Sequence, residues 1–321
     1  MTTTQTEVAT PPSPPPPSTR PVGKPDHNRR VLARLGWGFS TPALIVVLAV
    51  TIFPIVYSVI MSFSHVNVLG SGFKLSGFPT TANYSILIHS ETWRYALFFT
   101  IIYTIVTVVV EVILGTAIAL VLERLVRGRG LMMALLLIPW SLITVISAQL
   151  WSYIYNPVYG IADYIFGKLG LGHPLFLGTP TPAIISMMVA DIWKTTPFVA
   201  IIVLAGLVML PQDIYEAAEV DGASGWATFW RITFPLLRPT IALAVLFRVL
   251  QAFGLFDLPF VLTQGGPGHA TTSLAILGYK AMFQDLAFGP GAAVATSTAL
   301  LVLLGCLLFL KVFRAQVGQE Q

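Results

Sequence analysis

Charge is scarce in this chain. Asp, Glu, Lys and Arg make up only 10% of its 321 residues, against about 25% in soluble domains. With 55% hydrophobic residues there are too few polar groups to cover a water-facing surface. That excludes an ordinary soluble domain and points to an integral membrane protein. Cysteine is nearly absent. The one present, Cys306, lies in an apolar run, so an intrachain disulfide is excluded and a buried free thiol is expected. No glycine-rich phosphate loop ending in Gly-Lys-Ser/Thr occurs, so the chain has no nucleotide site of that kind. The histidines His27, His65, His89, His173 and His269 are scattered through tails, loops and span ends. They show no metal-ligand spacing and build no Ser-His-Asp arrangement. A membrane enzyme therefore lacks a catalytic constellation, and no metal site is expected.

What the chain has is hydrocarbon in long runs. Crossing a bilayer core takes about 20 apolar residues in a helix. Six segments qualify: 39–63, 95–122, 131–153, 183–210, 240–262 and 292–313. The runs are continuous rather than alternating, so they are read as helices and not barrel strands, giving an all-α membrane protein with six transmembrane helices. An even number of spans puts both termini on one side. Lys24, Arg29, Arg30, Arg34, Arg124, Arg127, Arg129, Arg231, Arg238, Lys311 and Arg314 flank that side. Only Lys74, Arg94, Lys168 and Lys280 fall on the other. The positive-inside rule makes both termini cytoplasmic. Residues 1–30, rich in Pro, Thr and Ser, are expected to be a disordered cytoplasmic tail rather than a signal peptide. Residues 31–94 are assigned to the first span and an outer loop, 95–313 to the main transmembrane domain, and 314–321 to a cytoplasmic tail. Pro54, Pro139, Pro197 and Pro259 lie within spans, where each favours a kink.

The segment 211–238, between the fourth and fifth spans, breaks the apolar pattern. Asp213, Glu216, Glu219 and Asp221 are four acids with no base between them. Asp213 is expected to cap a helix, with Glu216 completing a capping box. Ala217 and Ala218 keep that helix narrow, and Gly222 and Gly225 permit a sharp turn. Trp226, Phe229 and Trp230 supply apolar area on a second short helix, after which Pro235 and Pro239 are expected to break the chain. An amphipathic helix on the inner leaflet is the plain alternative. Acids suit it badly, because that leaflet is anionic. A docking segment for a soluble cytoplasmic partner fits better.

Here the sequence resembles a known family. Glu216-Ala217-Ala218, Gly222, Ile232 and Phe234-Pro235 match the Glu-Ala-Ala signature of permease subunits of bacterial binding-protein-dependent ABC importers. The one departure is Phe234 where Leu is usual. Gly128-Arg129-Gly130, Leu137-Ile138-Pro139-Trp140, Trp193-Lys194-Thr195-Thr196-Pro197-Phe198 and Leu262-Thr263-Gln264-Gly265-Gly266-Pro267 look like the maltose and glycerol-phosphate branch. The layout is similar to actinobacterial trehalose and multiple-sugar permeases. The resemblance implies a type I importer fold and a multi-pass location in the bacterial cell membrane. It also implies that Asp213, Glu216, Ala217, Ala218, Asp221, Gly222, Ile232 and Pro235 couple to an ATPase subunit. The partners it implies are a second homologous permease, two ATPase copies holding ATP and Mg, and an extracytoplasmic sugar-binding protein. The cargo would be a sugar, for instance the disaccharide trehalose. A secondary transporter driven by an ion gradient stays open as the alternative.

Five ionisable residues lie within the spans: Glu111, Asp191, Lys194, Arg248 and Asp257. At that depth each needs a partner or a water-filled cavity. Asp191 and Lys194 are three apart on one helix face, so they either neutralise each other or meet substrate. Glu111 and Arg248 are expected to pair between helices. Asp257, nine residues from Arg248, shares a pore with it only if the span is broken between them, which Gly254 and Pro259 would permit. Trp193, Lys194, Gln251, Phe253 and Asp257 form the candidate substrate path, since sugars bind through carboxylates, amides and aromatic faces. Packing against core or lipid is the plain alternative for Phe253.

Overall fold

The computed structural model describes residues 27–69, 72–125 and 127–317. Contacts divide the chain into two units, Met1–Ile55 and Val56–Gln321. In the first, the described residues form the N-terminal part of α1 (His27–Ser62), with Phe39 and Phe53 among its exposed apolar side chains. Most of the expected tail, residues 1–26, lies outside the described residues, as do 318–321.

After α1 the chain forms a hairpin that the sequence reading did not foresee. Strands β1 (His65–Leu69) and β2 (Gly72–Ser76) pair antiparallel, with His65 opposite Ser76. Then follow α2 (Ala82–His89), α3 (Glu91–Arg124), α4 (Arg129–Ser141), α5 (Thr144–Ile154), α6 (Ile161–Lys168) and α7 (Pro180–Val208). The remainder is α8 (Gln212–Val220), α9 (Gly225–Thr228), α10 (Phe234–Phe253), α11 (Asp257–Leu262), α12 (Leu274–Tyr279) and α13 (Phe288–Val317). Among the described residues, five helical stretches are long and apolar enough to cross a membrane, or six if the bent pair α4–α5 is one span.

Two of the expected spans differ from the continuous segments read from the sequence. The third is bent by 89° between Ser141 and Thr144. The Ile138 carbonyl, which a continuing helix would pair with the Leu142 N–H, accepts instead from the Ser141 hydroxyl at 2.9 Å. Leu142 and Ile143 are extended. The fifth span begins much earlier than residue 240. Helix runs without a break from Gly225 to Phe253, straight through Pro235 and Pro239, so neither proline ends it. A π-helical turn at Phe229–Thr233 precedes Pro235. Its wider i→i+5 ladder absorbs the change in hydrogen bonding there. The short helix carrying Trp226, Phe229 and Trp230 is thereby fused to α10.

The expected fifth span also ends early. The break falls at residues 254–256, as Gly254 and Pro259 permitted. Pro259 has no N–H to donate to the Leu255 carbonyl four residues back. That oxygen accepts from the Ser273 hydroxyl at 2.6 Å. Leu255, Leu258 and Leu262 turn into a core cluster with Phe99, Tyr103, Ala148, Met187 and Ala190. A second cluster joins Ala119 and Leu122 of α3, Val199, Val203, Leu204 and Leu207 of α7, and Leu237 and Ala244 of α10. Helices α3 and α7 approach closely because Gly115 has no side chain. A Cβ there would lie 2.8 Å from Val199 Cγ1 and 3.0 Å from the Ala200 backbone nitrogen. These three helices, α3, α7 and α10, form the frame on which both candidate sites are built.

Candidate functional site

The acid-rich segment is a short helix with a well-formed C-terminus. Helix α8 ends in a Schellman motif: Ala223 N–H donates to Ala218 O at 2.9 Å and Gly222 N–H to Glu219 O at 3.0 Å. This motif needs a left-handed residue at its turn, and Gly222 supplies it with φ +72°. Nothing crowds that position, so the backbone angle, not lack of space, accounts for the glycine. At the other end, the expected capping box does not form. Pro211 is the cap residue, no side chain caps the helix, and Asp213 sits inside the first turn. A carboxylate there still favours the positive end of the helix dipole. Ala218 is buried, while Asp213, Glu216, Ala217, Glu219, Asp221 and Gly222 are exposed. Tyr215 Oη meets Thr233 Oγ1 at 3.2 Å and ties α8 to the base of α10. Ile232 and Pro235 are half-buried in that base. A cavity of about 970 Å³ lies between the end of α3, α8 and the α9–α10 helix, with Arg124, Glu219, Trp226 and Phe229 in its wall.

The second site is a buried charge cluster. Arg248 of α10 is 2% exposed and Glu111 of α3 fully buried. Arg248 Nε donates to Glu111 Oε2 at 2.5 Å and Nη2 to Oε1 at 2.9 Å, a two-pronged fork that lysine could not make. Nη2 also lies 3.5 Å from Asp191 Oδ2 of α7. Nη1 donates to Gln251 Oε1 at 2.9 Å. The structure thus brings Glu111, Asp191 and Arg248 together across three helices.

The Asp191–Lys194 pairing, one of the two arrangements their spacing allowed, is not what forms. Asp191 turns to Arg248, and Lys194 Nζ donates to the Trp140 carbonyl at 3.5 Å. The Arg248 guanidinium on a neighbouring helix comes within 3.5 Å of Asp191. Lys194 still lies within the fields of both Asp191 and Asp257.

Two groups in the cluster were not assigned to it from the sequence. Tyr103, fully buried, donates to Asp191 Oδ2 and faces the Met187 carbonyl, each at 3.3 Å. Thr195 Oγ1 donates to Glu111 Oε1 at 2.7 Å. The available signal was the stripe Thr100, Tyr103, Thr107, Glu111 and Gly115 along α3, whose three- and four-residue spacing marks a single buried face. Of the candidate path residues, Trp193, Gln251 and Asp257 are exposed, Phe253 is half-buried and Lys194 is buried. Trp193 packs edge-on against Trp151, ring centroids 5.7 Å apart. Trp140 stacks on Phe198 at the same separation.

The family of binding-protein-dependent transport system inner membrane components matches residues 90–316. The chain belongs to that family. It is a permease of the ABC-importer type and a multi-pass membrane protein, not an enzyme. It is 40% identical over 283 residues to the trehalose/maltose transport system permease protein MalF of Thermococcus litoralis, covering 88% of this chain and 94% of that one. It is 35% identical over 289 residues to the trehalose transport system permease protein SugA of Mycobacterium tuberculosis, covering 90% and 91%. A solved bacterial ABC transporter for import of the acidic polysaccharide alginate superposes with a TM-score of 0.77 at 22% identity, covering 90% of this chain and 99% of that one. That match shows the fold, the type I permease architecture expected from the sequence.

Proposed function

We propose that this permease forms half of the membrane path for a neutral disaccharide such as trehalose. It works beside a second homologous permease, over two ATPase copies, and receives its cargo from an extracytoplasmic binding protein. The family assignment sets aside the reading of a self-sufficient carrier driven by an ion gradient. ATP-driven closure of the ATPases would move α8, and the α9–α10 helix would carry that movement to the cluster around Arg248.

The observation that carries the cargo reading is how the site spends its charge. Arg248 is engaged by Glu111, Asp191 and Gln251. Lys194 faces a backbone carbonyl and lies in the field of two carboxylates. Among these five residues two cations thus stand against three carboxylates, a net negative balance that opposes an anionic solute. A neutral polyol needs only hydrogen-bond donors, acceptors and an aromatic face, which Lys194, Gln251, Asp257 and Trp193 supply. Similarity to permeases named for trehalose and for trehalose/maltose supports the same cargo class.

The coupling role of Asp213, Glu216, Ala217, Ala218, Asp221 and Gly222, with Ile232 and Pro235 at the base, rests on their motif and on the exposed acidic face of α8. Uptake of a labelled disaccharide should be competed by neutral disaccharides and not by phosphorylated or uronic sugars. Equal competition by anionic sugars would refute the cargo class.

A further inference from the structure

The contact between Arg248 and Gln251 fixes more than a side-chain position. A guanidinium carries only donors. Whatever amide meets it must therefore turn its oxygen inward, as Gln251 Oε1 does at 2.9 Å. The Nε2 group, with two N–H donors, is then left to point away from Arg248. Gln251 is exposed, yet it lies near the end of a helix long and apolar enough to cross a membrane. Donors without partners in hydrocarbon are costly, so this amide must look into a polar path. Arg248 in turn cannot swing freely, because Glu111 holds it by two bonds and Asp191 lies beside it. Glu111 is itself fixed by Thr195, and Asp191 by Tyr103. A chain of buried contacts on three helices thus ends in one amide with its hydrogen-bonding sense decided.

We propose that Arg248 is a positioning residue that sets Gln251 as a donor-only contact, so the solute must present an acceptor there, such as a sugar hydroxyl oxygen. This inference rests on the disaccharide reading above and specifies which way one hydrogen bond of the site runs. Arg248 need not touch the solute for this role.

The test uses the complete transporter in proteoliposomes, with saturating loaded binding protein and trehalose analogues in which single hydroxyls are replaced by hydrogen or by fluorine. Fluorine keeps a weak acceptor and removes the donor; hydrogen removes both. At one ring position the wild type should import the fluoro analogue on the order of ten times faster than the deoxy analogue, the worth of one hydrogen bond. Gln251→Glu keeps a partner for Arg248 but presents an acceptor to the path, so the order at that position should invert. Arg248→Lys, which cannot hold the amide and Glu111 together, should narrow the difference. The binding protein is the same throughout, so its own preference cancels between variants, and the ratio does not depend on how much transporter folds. An unchanged fluoro-to-deoxy ratio in Gln251→Glu overturns the inference while leaving the cargo reading in place. Absence of wild-type uptake of the parent disaccharide overturns the cargo reading, and the inference with it.

Discussion

Replacing Arg248 with methionine should destabilise the bundle by about 3–5 kcal/mol, the cost of breaking a buried ion pair by removing one partner. Both sides of the pair are buried, with Arg248 at 3% and Glu111 at 0% side-chain exposure. The substitution leaves the carboxyl groups of Glu111 and Asp191 together in the interior, with hydrogen bonds among the described residues from Thr195 and Tyr103. An exposed pair would contribute about 0–1 kcal/mol, so the size of the loss reports burial. Against a typical stability of roughly 5–15 kcal/mol, the effect should be plain as a drop in melting temperature on the order of 10 °C, measured on the solubilised protein by loss of monodisperse material on heating. Glu111→Gln should cost less, because Arg248 keeps Asp191 at 3.5 Å. The triple change Glu111→Gln, Asp191→Asn, Arg248→Met removes every charge from the cluster and should recover most of the loss. Reversing both charges, Glu111→Arg with Arg248→Glu, should restore assembly lost by reversing either alone. A single Arg248→Met variant that melts like the wild type, or a triple variant no better than the single, would refute the reasoning.

The remaining expectations concern the frame and the docking segment. Gly222→Ala should cost roughly 1–2 kcal/mol, since φ +72° is disfavoured for a residue with a Cβ, and should lower ATP-driven uptake; Gly222→Asn, which tolerates that angle, should retain more. Gly115→Ala places a methyl 2.8 Å from Val199 Cγ1 and should cost about 1–3 kcal/mol by overpacking. Adding Val199→Ala should restore part of that loss, read from the same melting assay.

Parts of this molecule were legible in the sequence for identifiable reasons. The acid-rich segment stood out because its residues are contiguous and its charges contrast with the apolar chain. Glu111, Asp191 and Arg248 stood out because charge inside a span is rare, and rarity narrows the choice of partners. Tyr103 and Thr195 did not, because a tyrosine or threonine on a membrane helix is compatible with core, lipid or site alike. The contact between Asp191 and Arg248 could not be read, because helical spacing reports neighbours on one helix and nothing about a residue on another. Pro235 and Pro239 misled for a related reason. Whether a proline ends a helix depends on what satisfies the carbonyl four residues back. At Pro259 that is the distant Ser273 hydroxyl; at Pro235 a π-helical turn absorbs the change. Neither can be read from the local sequence.

The most direct test of the central claim, that the exposed acidic face of α8 couples this permease to an ATPase, is to purify the solubilised complex carrying Glu216→Lys and measure its ATP-driven sugar uptake. The substitution alters one exposed side chain on a nine-residue helix, so membrane insertion and folding should persist while the ATPase is lost or uptake falls sharply. Full ATP-driven uptake by the Glu216→Lys complex, or transport by the chain alone under an ion gradient, would contradict the account.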